Sequence, residues 1–77
     1  MKHEQVVYRW IMQKSNANQW NFYLNVKGKG LALKYCVVRV EAGDFTWHTW
    51  RPGHGWVIEN KNNIPPKVIQ LSLGVYP

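Results

Sequence analysis

One cysteine, Cys36, is all the thiol this chain has. That excludes an intramolecular disulfide framework and every zinc motif that needs two or more thiolates. Acid is scarce as well: four Asp and Glu stand against ten Lys and Arg, a formal charge of +6. No apolar run approaches the roughly 18 residues of a membrane span, and the opening Met1-Lys2-His3-Glu4-Gln5 is too polar for a signal peptide. A soluble, cytoplasmic protein with no membrane partner is the expectation. Low-complexity sequence is missing too, and 45% of the residues are hydrophobic, which argues against disorder. With 77 residues there is no room for two domains or for a separate cofactor-binding half. A domain of this size buries only about 60 to 65% of its unfolded surface and builds one modest core. Residues 1–77 therefore read as a single small domain, with no cofactor and no enzymatic activity expected.

Aromatic side chains are plentiful, with five Trp, four Tyr and two Phe, and their order is informative. From Gln19 to Lys27, Trp20, Phe22, Leu24 and Val26 alternate with Asn21, Tyr23, Asn25 and Lys27. A strict period of two marks a half-buried antiparallel strand. Lys27-Gly28-Lys29-Gly30 follows as a tight hairpin turn, since glycine supplies positive φ. In the next strand Leu31, Leu33, Tyr35 and Val37 share a face opposite Ala32, Lys34, Cys36, Val38 and Val40. Arg39 and Glu41 turn the first face from apolar to charged, as a bulge or a strand running past the core would do. Ala42-Gly43-Asp44 is a second turn, Phe45 to Trp50 a third strand, and Arg51-Pro52-Gly53-His54-Gly55 a loop before a short strand at Trp56 to Glu59.

The two ends are read from weaker patterns. Val6, Val7, Trp10, Ile11 and Lys14 would suit one side of a helix, but valine and aromatics lean toward a strand, with Ser15-Asn16-Ala17-Asn18 as its loop. After the polar Asn60-Lys61-Asn62-Asn63-Ile64-Pro65-Pro66, the stretch Lys67 to Val75 alternates through Ile69, Leu71 and Leu73 and is expected to pair into the same sheet. No internal repeat is visible. The sum is an all-β fold, a small antiparallel barrel or rolled sheet of five to six short strands. A homodimer that pairs edge strands is equally compatible.

Catalytic motifs find little support. His48 and His54 straddle a turn and could serve as acid and base beside Arg51, but their pattern matches no catalytic template. The same histidines lack the spacing of zinc ligands. Cys36 sits among apolar neighbours in Tyr35-Cys36-Val37-Val38, which favours the neutral, inert thiol. Gly28-Lys29-Gly30 fits neither a phosphate loop nor a dinucleotide fingerprint.

Binding is better supported. With Trp20, Phe22, Leu24 and Val26 turned inward, Tyr23 and Lys27 face out with Asn21 and Asn25. The hairpin then brings Lys34 to the same face, with Lys29 at the tip. With Phe45 and Trp47 inward, His48 and Trp50 join that surface and Arg51 lies at its end. Trp56 is a further candidate contact beside a turn. Basic side chains interleaved with aromatic rings suit single-stranded RNA or DNA, because bases stack on the rings while Lys and Arg neutralise phosphates. Trp10, Trp20 and Trp47 are assigned to the core, where large rings supply area that a small domain otherwise lacks. The competing reading is a protein-binding inhibitor or adaptor that occludes a larger partner with an acidic surface, since Trp, Tyr and Arg also dominate protein interfaces.

Overall fold

The computed structural model describes residues 8–41 and 43–74. Five strands, β1 (Tyr8–Asn16), β2 (Gln19–Val26), β3 (Gly30–Glu41), β4 (Asp44–Arg51) and β5 (Gly55–Glu59), form one antiparallel sheet in the order β1-β2-β3-β4-β5. Each strand pairs with the next through a short turn. The sheet is open, with β1 and β5 as its two unpaired edges: of the expected antiparallel barrel or rolled sheet, the all-β antiparallel sheet is present and its closure is not. The amino-terminal stretch is a strand from Tyr8; Val6 and Val7, assigned to it from sequence, lie outside the described residues.

Within the described residues the carboxy-terminal stretch is not a sixth strand; Val75, assigned to it from sequence, lies outside them. The stretch forms helix α1 (Pro66–Ser72), preceded by a 3-10 turn at Lys61–Asn63. The two prolines explain why. Pro65 is extended at φ −55°, ψ 139°, and Pro66 occupies the first helical position, where its missing N–H would have had no intrahelical partner. The buried positions then fall at Ile64, Val68 and Ser72, with Ile69 packed beside them, which is a helical stripe. Leu71 and Leu73, which fitted an alternating pattern, are instead exposed. Inside the last turn the Ser72 hydroxyl donates to the Ile69 carbonyl at 2.6 Å.

α1 lies on one face of the sheet and reaches back to β1. Between them sits the core: Trp20, Phe22, Val37, Trp47, Ile64 and Val68 are buried, with Trp10, Met12, Tyr35, Phe45 and Ile69 packed against them. The registers explain the grouping, because Trp20 lies opposite Val37 and Val37 opposite Trp47, so all three point to the helix. The Phe22 and Trp47 rings are 5.5 Å apart, and Trp10 packs on Tyr35 at 5.8 Å. Arg39, at the margin of this face, lays its guanidinium 5.5 Å from the Trp20 ring and 5.7 Å from the Phe45 ring. The core is therefore capped at that end by a cation that keeps its head near water.

Two departures from regular pairing reshape β3. A register shift between Arg39 and Glu41 lies where the change from apolar to charged suggested one. A second separates Phe22↔Tyr35 from Tyr23↔Leu33, leaving Lys34 as an extra residue. This bulge divides Leu31 and Leu33 from Tyr35 and Val37, which simple alternation had placed on one face. β4 pairs β3 only as far as Tyr35, whereas β2 follows β3 down to Gly30. The five residues Gly30 to Lys34 thus pair with β2 but not with β4, and with β2 form an arm that runs on past the β3–β4 ladder.

The β2–β3 and β4–β5 hairpins turn in the same way. In Val26-Lys27-Gly28-Lys29-Gly30 the Lys29 N–H donates to the Val26 carbonyl, and in Arg51-Pro52-Gly53-His54-Gly55 the His54 N–H donates to the Arg51 carbonyl, both at 2.8 Å. Gly28 and Gly53 hold φ of 81° and 84° at the third turn position, the type II geometry that glycine permits. Because β2 and β4 run in the same direction, both turns lie at one end of the sheet.

Candidate nucleic-acid interface

The face opposite α1 takes every other residue of each strand. Arg9, Ile11 and Gln13 come from β1, and Gln19, Asn21, Tyr23 and Asn25 from β2. β3 gives Leu33, Cys36 and Val38, β4 gives Thr46, His48 and Trp50, and β5 gives Trp56 and Ile58. Among the described residues no helix lies over this face.

Its aromatic centre is at β4 and β5. Trp50 and Trp56 lie directly across from each other, with ring centroids 5.1 Å apart at 68°, and the His48 ring meets Trp56 edge-on at 6.5 Å. All three are half-buried. The His48 Nδ1 is buried and has no hydrogen-bond partner in the protein. Tyr23 is also on this face but two strands away, about 10 Å across the sheet.

A row of amides orients the tyrosine. The Gln19 side-chain NH₂ donates to Asn21 Oδ1 at 3.0 Å, and the Asn21 NH₂ reaches the Tyr23 hydroxyl at 3.4 Å. Asn25 continues the row toward the tip. Below the surface lies Cys36, opposite Asn21 on one side and His48 on the other, and only 1% exposed. Burial pushes its thiol pKa up to about 12, so it has no thiolate to offer near neutral pH.

The basic residues divide. Lys27 and Lys29 are exposed on either side of Gly28 at the hairpin tip, and Lys34 is exposed at the bulge, so all three sit on the overhanging arm. Arg9, which sequence reading had not singled out, lies opposite Asn25 on the same arm and face. Its position follows from alternation in β1 once the register is known. Arg51, by contrast, alternates with Thr49 and Trp47 onto the helix side, near enough to Glu59 to act on its charge. Glu59 accepts from the Asn63 amide, the Asn60 N–H and the Thr49 hydroxyl, each at 3.0 Å, and these bonds hold its carboxyl below the usual range. Arg51 therefore lies at the β4–β5 turn on the helix side of the sheet, apart from the aromatic face.

His54 is exposed in the β4–β5 turn, and His3 lies outside the described residues. Among the described residues no three His, Cys, Asp or Glu side chains are placed to hold a metal ion, and no helix is long and apolar enough to cross a membrane. The chain matches no family model, and no curated protein or solved structure matches it.

Proposed function

We propose that this domain binds single-stranded nucleic acid across the sheet face opposite α1, without catalysing a reaction. The observation that carries the reading is the division of the sheet: the helix covers one face, and the other combines Tyr23, His48, Trp50 and Trp56 with a basic arm. Bases stack on Tyr23 and on the Trp50 and Trp56 pair. Arg9, Lys27, Lys29 and Lys34 neutralise phosphates along the arm, and Asn21, Asn25 and His48 supply hydrogen bonds to base edges. A single strand suits this surface because its unpaired bases are free to lie against half-buried rings.

Titration of the tryptophan fluorescence with single-stranded oligonucleotides at several salt concentrations tests this. With four cations engaged, log K should fall against log salt with a slope of about −3, at roughly 0.7 per phosphate for single strands. Tyr23→Ala and Trp50→Ala should each weaken binding about 5- to 150-fold, the range for losing 1–3 kcal/mol of base stacking. No quenching at the lowest salt, or full affinity in both variants, would refute the proposal.

A further inference from the structure

The two edges of the sheet differ. β1 carries Arg9 and Lys14 and ends in a register shift, features that blunt an edge against further pairing. β5 has no Lys, Arg or register shift, and its one charge is Glu59 at its far end. From Gly55 to Ile58 it contains no charge, proline or irregularity; Val57 is 38% exposed and Ile58 74% exposed, on opposite faces. Among the described elements β4 is its one extensive neighbour.

Which backbone groups of β5 are free follows from the turn. The Arg51 carbonyl accepts from His54, so it points toward β5, and Arg51 with Gly55 is a hydrogen-bonded pair. Alternation makes Thr49 with Val57 and Trp47 with Glu59 the next such pairs. The N–H and C=O groups of Trp56 and Ile58 therefore point away from the sheet. We infer that this edge pairs antiparallel with β5 of a second copy about a two-fold axis through Val57, joining two five-stranded sheets into one of ten strands.

The register is set by the free groups. With Val57 opposite its own copy, Trp56 of each chain meets Ile58 of the other in hydrogen-bonded pairs, and all four outward groups of each copy are satisfied. Shifting the centre to Trp56 or Ile58 leaves one residue of each copy without its partner. The same register sets the exposed Ile58 against a tryptophan ring, an aromatic and β-branched pair of the kind that stabilises sheets. A second copy suits this edge better than an unrelated strand because the pattern of free groups and side chains is its own complement. An axis perpendicular to the sheet keeps both helix-free faces on one side, so Trp50 and Trp56 of the two copies would form a single central patch.

Sedimentation without nucleic acid tests the inference independently of the proposed function. The wild-type mass should rise with concentration from 9.1 kDa toward twice that value. Association should strengthen with salt, because two chains of charge +6 repel. Ile58→Lys, a change at an exposed side chain, should weaken association at least about tenfold with an unchanged circular dichroism spectrum. Val57→Cys should form a disulfide-linked dimer on mild oxidation, since Cα atoms about 4.5 Å apart at a non-hydrogen-bonded pair fall within disulfide range. The wild type should not, its Cys36 being buried. A monomer at every concentration up to about 1 mM, an Ile58→Lys dimer as strong as wild type, or Val57→Cys without a cross-link would overturn it.

Discussion

Replacing Val68 with alanine tests the position of α1, and through it which face of the sheet is free. Val68 is fully buried against the core rings. The substitution removes two methyl groups, worth about 1.6 kcal/mol of transfer at roughly 0.8 per carbon. The void adds about 1 kcal/mol, at roughly 24 cal/mol per Å³ of cavity that fails to collapse. Alanine's better helix propensity returns about 0.5 kcal/mol, leaving a net loss of about 2 kcal/mol. For a domain of this size that corresponds to a fall in Tm of about 8 to 16 °C. Leu73 is the control: it is 58% exposed, so Leu73→Ala should cost less than about 1 kcal/mol. If the segment were instead a strand alternating through Ile69, Leu71 and Leu73, the order would reverse. Thermal melts of both variants followed by circular dichroism decide the matter. A larger loss for Leu73→Ala than for Val68→Ala would refute the helix and, with it, the claim that the opposite face is the open one.

Two further outcomes follow from the titratable groups. With its pKa near 12 instead of 9.0, Cys36 should carry roughly a thousandfold less thiolate at pH 8 than the unfolded chain, so a thiol reagent should label it only at the rate the protein opens. Prompt labelling of the folded protein would contradict its burial. The same shift favours the neutral thiol in the fold, so its contribution is present below pH 9 and lost as pH rises toward 12. Glu59 has the opposite sign: its depressed pKa contributes stability above the unfolded value of about 4.3, which is lost as pH falls through the folded one. Glu59→Gln should therefore flatten the dependence of Tm on pH between about 5 and 3. Parallel curves for the variant and wild type would remove Glu59 from the junction it is assigned to hold.

How much of this could be read from the sequence depended on whether a pattern was local. Gln19 to Val26 was legible because every second residue reports its face, and Trp20 and Phe22 are buried as that alternation requires. The assignment of Trp10, Trp20 and Trp47 to the core rested on the area their rings supply; Trp20 and Trp47 are buried and Trp10 packs against them. Lys67 to Val75 misled because Ile69, Leu71 and Leu73 mimic a strand, while the helical stripe of Ile64, Val68 and Ser72 includes a serine and begins before the prolines. The openness of the sheet was not legible, since closure depends on whether distant edges meet. On the candidate face, Tyr23, His48 and Trp50 followed from alternation and Trp56 only from its place beside a turn, whereas Arg51 fell on the helix side because its strand parity continues from Trp47. Arg9 became apparent only once β1 was in register with β2.

Lys34 is a residue the ladder does not need. Phe22 faces Tyr35 and Tyr23 faces Leu33, so a chain lacking Lys34 would still pair every neighbour as now, in an unbroken ladder. Losing a residue paired on both sides, such as Val37 between Trp20 and Trp47, would instead shift the register and move the side chains beyond it to the other face. The overhanging arm can therefore shed or regain one positive charge without rewriting its pairing, so the charge of the arm and the architecture of the sheet can change independently.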